Sequence, residues 1–147
     1  MADVTVDNTT VVLSGVARAD VVTWGETVLE GQPVYLKSSD NKYWKAECGT
    51  TIAAASVRGI VVEKGASGDA DSQGYIIRSG PIDFGTTILT AKSSYLLSPT
   101  TGGGRIMIED ATNLNRIAEG DFVVHLGHAD TTRILDVSIH VNTTAAL

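Results

Sequence analysis

Three histidines, one cysteine, two tryptophans and a set of carboxylates are the side chains of this 147-residue chain whose types could do chemistry. His125, His128 and His140 lie close together in sequence, and imidazoles so grouped raise the question of a metal site. On a strand, positions 125 and 128 point to opposite faces, and the intervening Gly127 reads as the start of a turn. No Asp or Glu stands at an obvious ligand spacing, so the expectation is solvent-facing histidines and no metal. The loop Gly68-Asp69-Ala70-Asp71-Ser72-Gln73-Gly74 begins like a calcium loop, with Asp at its first and third positions and Gly at its sixth. It departs at the fifth, Gln73, and at the twelfth, Gly80, where a bidentate Glu is needed.

Nucleophilic and phosphate chemistry fare no better. No serine sits in a Gly-x-Ser-x-Gly elbow, and Cys48 is followed by Gly49 and Thr50, with no basic residue directly beside it to lower its thiol pKa. Gly102 to Gly104 lack a following Lys-Ser or Lys-Thr and lead into a strand, which argues against a phosphate cradle. Glu109-Asp110 and Glu119/Asp121 fall at strand ends, where acidic residues usually face water. The expectation is no catalytic residue, no cofactor and no enzymatic activity. Trp24 and Trp44 stand out because aromatics are few. In Tyr43-Trp44 one ring belongs to the core, while the other is either a partly exposed neighbour or an interface anchor.

The elements that must carry these residues are strands. Leu135, Val137, Ile139 and Val141 alternate with polar residues, as do Phe122, Val124 and Leu126, and Ile106 and Ile108. Upstream, Val34–Lys37, Tyr43–Ala46, Val57–Val62, Tyr75–Arg78 and Tyr95–Leu97 are short runs rich in β-branched and aromatic residues. Between them lie turn sequences: Ser38-Ser39-Asp40-Asn41, Gly65 to Gly74, Gly80-Pro81 and Ser98 to Gly104. This spacing predicts an all-β fold, a compact antiparallel β-barrel or β-sandwich. At most two short helical turns are expected, over Thr50–Ser56 and Asp110–Glu119, the second capped by Asp110 with Leu114 and Ile117 inward.

Residues 1–30 read differently from 31–147, which are assigned to the β-domain. Val4, Val6, Thr9, Val11 and Leu13 alternate in a Thr/Val-rich segment that is either an extended arm or the first strand of the core. An arm could satisfy its backbone groups by adding to another chain's sheet edge. With Trp24 and Trp44, these five residues are the candidates for a subunit interface. A net charge of −6, with 11 scattered Lys and Arg, disfavours nucleic acid as a partner. No apolar run reaches the roughly 20 residues that a membrane-spanning helix needs. The N-terminus has no secretory pattern, which points to synthesis in a cytoplasm.

From about Glu30 to Ile139 the order of short elements resembles the small capsid decoration, or cement, proteins of tailed phages. The likeness runs through Gly31-Gln32-Pro33-Val34-Tyr35-Leu36 and Tyr43-Trp44-Lys45-Ala46, then Val57-Arg58-Gly59-Ile60-Val61 and the Gly-bounded strand from Gly74 to Gly80. It continues in Tyr95-Leu96-Leu97-Ser98-Pro99-Thr100-Thr101-Gly102-Gly103 and in Gly120-Asp121-Phe122 through His128-Ala129. The resemblance implies a barrel or β-tulip-like domain, often trimeric, whose N-terminal extension reaches onto neighbouring major capsid subunits. The partners it implies are the major capsid protein and further copies of this chain, and the location is the capsid exterior of a virion. A tail, fibre or adhesin module that binds a host receptor or glycan is the alternative.

Overall fold

The computed structural model describes residues 3–15, 18–49 and 51–145. In chain order the elements are β1 (Val12–Leu13), β2 (Ala19–Thr23), β3 (Pro33–Lys37), β4 (Lys42–Lys45), α1 (Ile52–Ala55), β5 (Gly59–Glu63) and β6 (Gln73–Ile77). There follow β7 (Ser79–Asp83), β8 (Ser94–Leu97), β9 (Ile106–Ile108), α2 (Ala111–Leu114), β10 (Phe122–Ala129) and β11 (Ile134–Ala145). All paired strands are antiparallel, in a six-stranded sheet ordered β1-β7-β11-β10-β8-β9 and a five-stranded sheet ordered β2-β6-β5-β3-β4. The all-β expectation therefore holds in its sandwich form. The two sheets do not close into one barrel.

Most of the core lies between the sheets, where Ile60, Ile77, Ile82, Phe84, Tyr95, Leu126 and Leu135 are fully or almost fully buried. The second sheet also curls on itself. Trp24, just past β2, makes a single parallel bridge to Tyr43 of β4, and Val22, Trp24, Val28, Val34, Tyr43, Val61 and Ile76 pack inside the curl. Strand β5 thus has apolar neighbours on both faces, which is why Gly59-Ile60-Val61-Val62 is a continuous buried run and not an alternating one.

Gly80-Pro81, expected as a turn, instead lies inside β7. The chain leaves the second sheet after Ile77 and enters the first at Ser79, with Gly80 at φ +96° absorbing the bend. Pro81 is tolerated because its neighbour β1 is a two-residue edge strand that pairs only with Ile82 and Asp83. Gly127 is a second departure, since β10 does not turn there. Between His125 and Gly127 the register shifts against both β8 and β11, and Gly127 sits at φ +152° with Asp136 O where a Cβ would stand. This is a β-bulge.

Both short helices form where expected. Thr51 caps α1 by accepting from Ala54 N at 3.1 Å, and Asp110 caps α2 by accepting from Asn113 N at 2.7 Å. Position 50 lies outside the described residues. Leu114, expected to face inward, is exposed, and Asn113 is buried in its place. The Asn113 side-chain amide donates to Ile108 O at 3.0 Å, so the buried polar group is satisfied.

Candidate interaction surface

Residues 3–11 form a strap across the end of the sandwich. Val4 N donates to Ile106 O of edge strand β9 at 2.9 Å, and the chain then runs to β1 at the opposite edge of the same sheet. On the way, Asn8 Nδ2 donates to Glu30 O at 2.5 Å and Thr10 Oγ1 donates to Phe84 O at 2.6 Å. Val4 and Val6 pack on the core and Val11 belongs to it. Thr9 and Leu13 face solvent. Of the five N-terminal candidates, therefore, three hold the strap in place and two remain accessible.

The strap is pinned at its start by a polar cluster that sequence reasoning did not find. Asp3 accepts from Ser98 Oγ at 2.5 Å, from Thr100 Oγ1 at 2.6 Å and from Arg116 Nη2 at 2.8 Å. Arg116 also donates to Thr100 Oγ1 at 2.9 Å and to Asn113 Oδ1 at 3.2 Å. Burial raises the Asp3 pKa, but the hydroxyl donors and the guanidinium outweigh it and hold the carboxyl below the usual range. Asp3 and Arg116 are 113 positions apart, and no local signal links them.

Neither tryptophan is a free anchor. Trp24 is fully buried and its Nε1 donates to Lys64 O at 2.9 Å. Trp44 is half-buried: its ring lies against Gly25, Lys37 Nζ stands 4.2 Å from the ring centroid, and its Nε1 donates to Asp40 at 3.0 Å. Tyr43, on the other face, is the core ring, and its hydroxyl accepts from Arg78 at 3.0 Å.

Exposed apolar side chains are concentrated elsewhere. Among the described residues, the large hydrophobics left open are Val12, Leu13, Val21, Leu29, Ile52, Tyr75 and Leu114. Val12, Leu13 and Leu29 line one groove of about 660 Å³ with Val62, Glu63 and Lys64. Across the second sheet, Val21 pairs with Tyr75, and Tyr75 pairs with Glu63 of that groove. Val12, Leu13 and Leu29 thus form one apolar strip beside edge strand β1, and Val21 and Tyr75 are a separate exposed cross-strand pair at edge strand β2. Val21 is 59% exposed and Val12 52%, values that apolar side chains without a covering neighbour take.

A scan against protein-family models and a search of curated proteins each find no match. The strip and the strap therefore carry the functional reading by their own geometry.

The remaining reactive groups are engaged in structure. Cys48 is buried, and burial, with the nearby Asp121 carboxylate, pushes its thiol up to about 11. Asp71 of the calcium-like loop is ion-paired with Lys42, and Asp83 is held by Arg133 at 2.8 Å. The histidines are open to solvent as expected, but His125 and His128 do not point to opposite faces. His125 pairs across the strands with His140, and the bulge at Gly127 brings His128 opposite Asp136. Asp136 and His140 alternate with the buried or half-buried Leu135, Val137 and Ile139, so all three histidines share the outer face. Among the described residues, no helix is long and apolar enough to cross a membrane.

Proposed function

We propose that this protein is a structural virion component that binds the outside of an expanded phage capsid as a trimer and holds adjacent major capsid subunits together. The single observation that carries the proposal is the exposure of apolar side chains at edge strands of both sheets, a strip of Val12, Leu13 and Leu29 beside β1 and the pair Val21 and Tyr75 at β2. An edge strand offers unpaired N–H and C=O groups, and an apolar strip beside it supplies the burial that makes strand addition favourable. The resemblance to decoration proteins supplies the partner, the major capsid protein. A trimer would present the strip three times, so contacts of modest strength add by effective concentration. In this reading Asp3, Asp83, Cys48 and Arg116 serve folding, and no bond is made or broken.

The test is co-sedimentation of the purified protein with expanded capsids of its own phage. Wild type should bind at a copy number near that of the major capsid protein. Leu13→Asp and Val21→Asp should each weaken binding at least tenfold while leaving stability within about 0.5 kcal/mol, as expected of exposed positions. Absence of binding, a few copies per particle, or indifference to both substitutions would refute the proposal.

A further inference from the structure

We propose that His128, Asp130 and Asp136 form a surface site for one divalent transition-metal ion of the zinc class. The three offer an imidazole nitrogen and two carboxylate oxygens that all lie within 4.8 Å of one another. His128 Nε2 and Asp130 Oδ1 are 3.6 Å apart. Metal–ligand bonds of about 2.0–2.2 Å place tetrahedral donors roughly 3.3–3.6 Å from each other, so this pair already stands at ligand spacing. Asp136, paired opposite His128 on the neighbouring strand, brings its carboxylate oxygen within the same 4.8 Å span.

The backbone builds this arrangement. In an unbroken strand the residue two after the buried Leu126 would face the core, yet His128 is exposed and it is Ala129 that is buried. The bulge at Gly127 makes that exchange and sets the imidazole beside Asp136. Asp130 enters from the hairpin between β10 and β11, where its N–H donates to Ile134 O at 2.9 Å. Two ligands thus sit on paired strands and the third in a short turn, which leaves little backbone to order on binding.

Charge favours the same occupant. Among the described residues, neither Asp130 nor Asp136 is ion-paired with a lysine or arginine. Arg133, in the same hairpin, is committed to Asp83 at 2.8 and 3.3 Å. Two uncompensated carboxylates beside an imidazole attract a cation. The nitrogen donor selects zinc, cobalt or nickel over calcium and magnesium, which take oxygen ligands. Three protein ligands leave the fourth position to water or to a group from a neighbouring molecule.

The site does not depend on the capsid reading, and its test uses the full-length protein without an affinity tag, stripped of metal by chelation. Zinc is titrated by calorimetry, and cobalt by the visible absorption that tetrahedral or five-coordinate Co(II) acquires. One ion per chain is expected. His128→Ala and Asp136→Asn should each weaken binding at least tenfold, and His140→Ala, on the same face, should leave it unchanged. Equal melting temperatures of the metal-free proteins would show that the variants are folded. The proposal is overturned by absence of saturable uptake, by an unchanged affinity in Asp136→Asn, or by a His140→Ala loss equal to that of His128→Ala.

Discussion

Replacing Arg116 by Met removes the centre of the cluster that holds the start of the strap while keeping most of the side chain's apolar length. Three consequences follow from the contacts. Asp3 loses a 2.8 Å charge-assisted bond, Thr100 loses a donor at 2.9 Å, and the buried Asn113 loses its donor at 3.2 Å. A hydrogen bond to a charged group contributes about 1.5–3 kcal/mol when it is shielded from water. The Asp3 side chain is 11% exposed and that of Arg116 26%, so screening trims the value without removing it. The expected cost is about 2 kcal/mol, near the middle of that range. For a domain of this size that corresponds to a fall of roughly 4–8 °C in melting temperature.

The same cluster sets an acid dependence. Because the Asp3 carboxyl titrates below its unfolded value, its stabilisation is complete above about pH 4 and is lost as the pH falls through the folded pKa. Thermal unfolding of wild type, Arg116→Met, Asp3→Asn and the double variant, measured at neutral pH and down an acid series, tests this. The two single variants should be coupled by at least about 1 kcal/mol at neutral pH, and the coupling should fade below about pH 4. An Arg116→Met cost below about 0.5 kcal/mol, the range of an ordinary surface change, or a coupling that does not vary with pH, would refute the account of the strap.

Gly127→Ala should destabilise the protein by about 3 kcal/mol or more in urea unfolding, because a Cβ at φ +152° would stand 2.1 Å from Asp136 O on the paired strand. A cost no greater than that of a surface alanine would mean that the bulge is not rigid. Cys48 should resist a thiol reagent at neutral pH in the native protein and react once denatured, since burial holds its pKa at about 11. Rapid labelling of the folded chain would contradict this. Trp24→Phe should cost about 1–3 kcal/mol from the lost bond to Lys64 O and the void left in the smaller core, and should remove the blue-shifted component of the tryptophan emission. Equal stability of wild type and variant would show that the second core is loosely packed.

Period-two alternation in Phe122–Leu126 and Leu135–Val141, and β-branched runs such as Gly59–Val62, were enough to read an all-β chain and most of its strands from the sequence, as was the Asp110 cap. These features are local: the pleat sends neighbouring side chains to opposite faces, and a capping carboxylate needs only the amide three residues on. What only the tertiary structure decided is where local geometry was overridden or where distant residues meet. Gly80-Pro81 has turn chemistry but becomes a strand, because pairing with β11 on one side outweighs the donor that proline lacks. One extra residue at Gly127 reverses the facing of the rest of β10, and so places His128 on the same side as His125, which simple alternation would divide. Asp3 finds Arg116, and Val21 comes beside Tyr75, through pairings whose free energy depends on the whole sheet order and on no short stretch of sequence.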